Sequence, residues 1–206
     1  PFTGNVIALA QRPTFNPNER KDITPEMWRD RYITDVFEPG STMKGISIAG
    51  ALDYKVVTPS TRIDCEKGRW FYAGKLLRDS HPYDVLDISE IVKYSSNIGT
   101  AKVALMLGEK RLYQVLRRFG FGQKTGIPIQ PEATGSFRKI ENWDKLSITR
   151  FPIGHGISCS PMQLVRAYCA IANGGTLLKM RLVTKEKNPE TGEIVVFPIE
   201  KGTKVF

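Results

Sequence analysis

Apolar residues recur at three- and four-residue steps through Met43, Ile46, Ala49, Leu52 and Val56, which is the period of one helix face. The pattern predicts a buried helix over residues 41–56, opened by Ser41 after the Pro39-Gly40 break. Gly45 and Gly50 inside it each cost up to about 1 kcal/mol relative to alanine, so close packing must outweigh propensity there. Further helices are predicted from Asp87 or Ser89 as cap through Ile91 and Val92 to Tyr94, over 98–107, over Glu109–Arg118 and over Pro161–Ala172. Phe119-Gly120-Phe121-Gly122 closes the third of these and Asn173-Gly174-Gly175 the last.

Between these helices the pattern is strand and loop. Residues 6–10 are apolar after Gly4-Asn5 and read as the second strand of a hairpin. Residues 12–30 carry Pro13, Pro17 and Pro25 and read mostly as loop, with a short helical turn after Thr24 as N-cap and Pro25 at the first position. Residues 58–83 read as short strands and loops around the Lys67-Gly68 and His81-Pro82 turns, and 122–150 as loop. From Thr176 onward strands flank an Asn188-Pro189-Glu190-Thr191-Gly192 turn. No repeat or low-complexity segment interrupts the chain.

At 206 residues and 41% hydrophobic content the chain suffices for one globular domain. The net charge of +9 raises the question of nucleic acid or an anionic surface. The basic residues are scattered, in no run longer than two and without an aromatic stripe, so they read as a solvated surface and no nucleic acid is expected. Cys65, Cys159 and Cys169 lack C-x-x-C spacing, and His81 and His155 are the two histidines, so neither a metal nor a cofactor is expected. No apolar run reaches transmembrane length and no signal peptide opens the chain. The start at Pro1, in a turn-like Pro-Phe-Thr-Gly-Asn, suggests a trimmed polypeptide.

The candidate chemistry begins at Glu38-Pro39-Gly40-Ser41-Thr42-Met43-Lys44. Residues three apart on a helix share a face, so the Ser41 hydroxyl and the Lys44 amine come within reach of one another. A lysine of ordinary pKa, about 10.4, is almost fully protonated at neutral pH. Burial and the positive end of the helix both disfavour the ammonium form and favour a base. The alternative is an N-cap serine followed by a solvated lysine. Ser95-Ser96-Asn97 forms a second constellation where one predicted helix ends and the next begins. A serine and an asparagine two apart there can face one cleft, the hydroxyl relaying a proton and the carboxamide offering donor and acceptor; helix capping is the alternative.

Ser-x-x-Lys at a helix start, followed about fifty residues later by Ser-x-Asn between helices, resembles the opening of the signature of penicillin-recognising serine acyltransferases. Residues 33–44, Ile-Thr-Asp-Val-Phe-Glu-Pro-Gly-Ser-Thr-Met-Lys, resemble the nucleophile region of class B penicillin-binding proteins, the monofunctional peptidoglycan transpeptidases. So do Phe119-Gly120-Phe121-Gly122 with Thr125-Gly126-Ile127, Gly154-His155-Gly156-Ile157-Ser158 with Pro161-Met162-Gln163-Leu164, and Ile171-Ala172-Asn173-Gly174-Gly175. The resemblance implies a mixed α/β (α+β) penicillin-binding-protein/β-lactamase-like fold, with 1–206 a partial transpeptidase domain truncated at both ends. It implies that Ser41 is acylated by D-alanyl-D-alanine stem peptides and by β-lactams, and that Lys44 takes the serine proton. Ser95 would help return a proton to the leaving D-alanine, and Asn97 would hold the substrate amide and orient Lys44. A membrane-anchored parent working with cell wall synthesis proteins outside the cytoplasm is implied as well.

The chain departs from the family at the third motif, a Lys-Thr-Gly on an edge strand of the cleft. Lys124-Thr125-Gly126 spells it but follows directly on Phe-Gly-Phe-Gly, and is expected to be a decoy. Phe206 ends the chain before the family's motif would come, so the central antiparallel sheet is expected to be incomplete and the apolar face of the Ser41 helix to lack its sheet. Two alternatives on the same fold are a β-lactam sensor or non-catalytic binding module, and a hydrolytic β-lactamase using Glu132 as base.

Overall fold

The computed structural model describes residues 1–19 and 21–206. Two short helices, α1 (Pro25–Trp28) and α2 (Arg31–Thr34), lead into α3 (Thr42–Asp53), which carries the Ser41 turn at its start. Three-residue β1 (Arg62–Asp64), the hairpin β2 (Arg69–Tyr72) and β3 (Lys75–Arg78), and β4 (Val85–Asp87) follow. Then come α4 (Ile88–Lys93), α5 (Asn97–Leu107), α6 (Glu109–Arg118), α7 (Ser147–Arg150) and α8 (Pro161–Ala172). The C-terminal part holds β5 (Thr176–Leu177), β6 (Lys185–Lys187), β7 (Ile194–Val196) and β8 (Thr203–Lys204). All strand pairs are antiparallel and two-stranded among the described residues: β1 with β4, β2 with β3, β5 with β8 and β6 with β7.

The helices start where side chains can satisfy their first N–H groups. Asp87 and Glu90 form a reciprocal capping box at α4, and Ser160 and Gln163 form another at α8, where Pro161 takes the first position. Ser96 caps α5 by accepting from Gly99 N. Helix α5 is apolar on most of its circumference, burying Ile98, Ala101, Val103, Ala104 and Leu107, so it forms the middle of the core. Helix α6 is amphipathic, with Leu112, Val115 and Leu116 inward and Arg117 and Arg118 at its end. A smaller apolar cluster of Ile33, Ile127, Met162 and Met180 joins α2 to α8.

Three expectations need correcting. Residues 6–10 form no strand; the pairing there is a single parallel bridge between Asn5 and Arg181, with Val6 N donating to Arg181 O. Asn5 thus meets the C-terminal part of the chain, not the first strand of a local hairpin. Helix α3 ends at Asp53, because Lys55 turns to positive φ and Val56 N bonds back to Ala51 O, closing a left-handed C-terminal turn. The loop reading of 122–150 misses the short helix α7 at Ser147–Arg150. The elements packed most heavily on α3 are helices, α5, α6, α4 and α8 among them, and Met43, Ile46 and Ala51 are fully buried. Gly50 lets α6 approach, since a Cβ there would stand 2.5 Å from Val115 Cγ2. The loop reading of 12–30 includes Arg20, which lies outside the described residues. The Asn188 turn is present as read, between β6 and β7.

Candidate active site

Ser41 precedes the first residue of α3, in right-handed backbone geometry, and its side chain caps no helix N–H. An N-cap serine normally spends its hydroxyl on the second or third amide of the helix; this one is exposed and uncommitted to the backbone. The turn beneath it is held from several sides. Thr42 Oγ1 donates to Pro39 O at 2.6 Å, and Tyr168 Oη on α8 donates to Thr42 O at 2.6 Å. Gly40 N donates to Gly154 O at 3.2 Å, and Gly154 lies so close, at φ +80°, that a Cβ would collide with the Gly40 backbone. Glu38 Oε1 accepts from Gly156 N at 2.8 Å. The Gly-His-Gly segment is therefore the wall on which the Ser41 turn rests.

Lys44 is 3% exposed, although its first-turn neighbour Ser41 faces solvent. Its Nζ donates to Ser95 O at 2.5 Å and to Ser95 Oγ at 2.8 Å. Burial lowers its pKa to about 8, with the nearby Asp79 carboxylate pulling the other way. At pH 7 roughly one molecule in ten then carries the neutral amine, against fewer than about one in a thousand for an unperturbed lysine.

Ser95 sits between α4 and α5 at φ +56°, a left-handed conformation that is uncommon for a residue with a Cβ. That kink points both its carbonyl and its hydroxyl at Lys44. Asn97 opens α5, with its Nδ2 donating to Arg78 O at 2.7 Å. Among the described residues the Lys44 amine bonds to Ser95 and not to Asn97, so the expected orienting contact between Asn97 and Lys44 is replaced by one with Ser95. Lys44 and Ser95 are thus in direct contact, Ser41 stands one helical turn before Lys44 with no side-chain hydrogen bond between the two among the described residues, and Asn97 lies two residues beyond Ser95.

The Lys124-Thr125-Gly126 sequence lies in a loop and on no strand. Thr125 is buried, and its N–H and Oγ1 both donate to Glu132 Oε1 at 2.6 Å, while Gly126 N donates to Glu132 Oε2 at 3.3 Å. Glu132 is itself buried, so both its carboxylate oxygens are committed to folding this loop. One residue absent from the sequence motifs reaches the site: Asp79, whose carboxylate accepts from Ser96 and from the first amides of α5. No local pattern announces it, because its partners lie 17 to 19 residues away.

Residues 1–203 match the family model described as penicillin binding protein transpeptidase domain. The Peptidoglycan D,D-transpeptidase FtsI of Escherichia coli K12 is 34% identical over 196 residues, which are 95% of this chain and 33% of that protein. The chain thus spans about a third of the length of the curated relatives it matches. Among solved structures, the TP domain of Burkholderia pseudomallei penicillin-binding protein 3 superposes with a TM-score of 0.82 at 30% identity, covering 99% of this chain and 54% of that one. Penicillin-binding protein 3 of Mycobacterium tuberculosis, solved in complex with ampicillin, gives 0.78 at 27% identity, covering 85% of this chain and 39% of that one. With the mixed helix-and-strand architecture and the contact of Lys44 with Ser95, these likenesses agree: the chain belongs to the penicillin-binding protein transpeptidase domain family.

Proposed function

We propose that this chain carries the nucleophile side of a peptidoglycan D,D-transpeptidase site, as part of a transpeptidase domain. The observation that carries the reading is the buried Lys44 amine held on the Ser95 hydroxyl, one helical turn from an exposed serine that caps nothing. In its neutral form Lys44 takes the Ser41 proton as Oγ attacks the carbonyl carbon of the penultimate D-alanine. The C–N bond to the terminal D-alanine breaks, and Ser95 relays a proton to the departing nitrogen. Asn97 holds the amide of the stem peptide. The amine of a second stem peptide then displaces Ser41 from the acyl-enzyme, forms the crosslink and restores the hydroxyl.

The Ser41 N–H, at the start of α3, supplies one donor to the developing oxyanion, and loss of such a donor typically costs about 10²–10³ in rate. A β-lactam enters by the same attack, but its leaving nitrogen stays tethered to the acyl group, so the adduct persists. The parent protein works on the wall side of the cytoplasmic membrane, anchored there and acting with other cell wall synthesis proteins.

A β-lactam sensor would share the acylation step, and a β-lactamase would need a carboxylate free to activate water. The engagement of Glu132 by Thr125 and Gly126 disfavours it as that base. Incubating the natural protein with a D-alanyl-D-alanine stem peptide and an acceptor amine tests the choice. Release of D-alanine with formation of crosslinked dimer is the expected result. Acylation without dimer would mark a sensor, and rapid turnover of nitrocefin a β-lactamase; either would overturn the reading.

A further inference from the structure

The Ser41 side chain makes no bond to the helix it opens, so its direction is set by the backbone of its turn. That backbone is held on both flanks. Gly40 N donates to Gly154 O, and Thr42 Oγ1 donates to Pro39 O at 2.6 Å. On the helix side of Ser41 the tie to a distant element is Tyr168 of α8, whose Oη donates to Thr42 O at 2.6 Å across 126 residues of chain. Burial raises the pKa of this phenol above its ordinary value, so it remains a donor where Lys44 titrates.

Gly45 makes room for that bond. Ser41 already has right-handed helical geometry, so positions 41 and 45 are neighbours on one face, one turn apart. A side chain at 45 would lean toward the helix start. The phenol occupies that space: a Cβ on Gly45 would stand 3.0 Å from Tyr168 Oη, but 3.8 and 3.9 Å from its Cζ and Cε1. The conflict is therefore with the hydroxyl, since the ring carbons lie at ordinary contact distance. Gly45 has no left-handed backbone that would call for glycine. Its cost in helix propensity is explained by the hydroxyl that stands beside the nucleophile turn.

We propose that Tyr168 is a positioning residue for the acylation step: its hydroxyl pins the first turn of α3 to α8 through Thr42 O, in a space that Gly45 keeps open, and so fixes the direction in which Ser41 Oγ and the Ser41 N–H meet the substrate carbonyl. This rests on the transpeptidase reading of Ser41 and Lys44. Tyr168 acts through the Ser41 turn and touches no substrate.

The test compares the natural protein with its Tyr168→Phe, Gly45→Ala and doubly substituted variants, using a fluorescent penicillin. Four quantities are read: the fraction of protein that forms adduct at saturation, the acylation rate constant, the affinity of the complex formed before acylation, and the pH midpoint of the rate. Tyr168→Phe removes the bond and keeps the ring. It is expected to lower the acylation rate constant roughly tenfold, less than the hundredfold scale of a 1 Å misplacement. Affinity before acylation should change less than about threefold, and the pH midpoint should stay at about 8, because Lys44 keeps its bonds to Ser95. Gly45→Ala displaces the hydroxyl and is expected to slow acylation to a similar extent. In the Tyr168→Phe background the same alanine meets no hydroxyl, so it should slow acylation by less than about twofold further, a non-additivity that marks the two positions as one device.

A merely structural role would lower the reactive fraction and leave the rate constant of the folded remainder unchanged. That result overturns the proposal, as does Tyr168→Phe within twofold of wild type, a pH midpoint moved by Tyr168→Phe, or Gly45→Ala slowing acylation equally in both backgrounds. If Gly45→Ala fails to fold, Tyr168→Phe decides the matter. Absence of adduct in the wild type would overturn the transpeptidase reading, and the proposal with it, whereas a labelled wild type with indifferent variants would overturn the proposal alone.

Discussion

Burial and a carboxylate pull the Lys44 amine in opposite directions, and burial wins, leaving the pKa at about 8. A base must be deprotonated to act, so acylation by a penicillin should rise with pH as Lys44 loses its proton, with a midpoint near pH 8, and level off above it. Measuring the acylation rate from pH 6 to 10 checks this; a flat profile, or one falling through pH 8, would remove Lys44 as the base. The pairing of Ser41 with Lys44 is legible from spacing, since three residues on a helix are one turn. That Lys44 also holds Ser95 is not, because the contact spans 51 residues and depends on a left-handed backbone that a serine does not announce. Asp79 is silent for the same reason: an aspartate in a polar stretch looks like any loop residue until the fold brings α5 to it.

At the scale of elements, α5, α6 and α8 were readable almost to the residue, since caps, periodicity and glycine stops all agree there. Strands of two to four residues leave no such period, and the Val6–Ile7 region shows apolar alternatives that a strand pattern cannot separate from a loop anchored by one bridge. The glycines in α3 show which force prevails when propensity and packing conflict. Gly50→Ala adds about 1 kcal/mol of helix propensity. It also drives a Cβ to 2.5 Å from the buried, β-branched Val115, an overpacking that costs ~1–3 kcal/mol. Net destabilisation is therefore expected in urea unfolding, and a stabilised Gly50→Ala variant would show that α3 and α6 are not packed as described.

Across the whole molecule, order is concentrated around the site. Helices α3 and α5 lie in the main apolar cluster, whereas every residue of β6 and β7 is exposed and Ile194 and Val196 are 56% and 68% accessible. Hydrogen exchange should be slowest in α5 and the buried side of α3 and fastest in the β6–β7 hairpin, since local opening costs least where little apolar surface is buried. Equal protection of that hairpin and α5 would contradict this distribution. The helical half of the family's architecture could be anticipated from sequence because its motifs sit at helix ends. The way the helices enclose α3 could not, because it follows from tertiary packing of α5, α6 and α8 that no local pattern encodes.

The central claim is that Ser41 is the nucleophile, and one measurement addresses it most directly. The natural protein is incubated with a labelled penicillin, digested, and the modified peptide located by mass spectrometry, alongside a Ser41→Ala variant. The account predicts one label per chain on the peptide containing Ser41 and none on Ser41→Ala; label on another residue, or a Ser41→Ala variant that still labels, would contradict it.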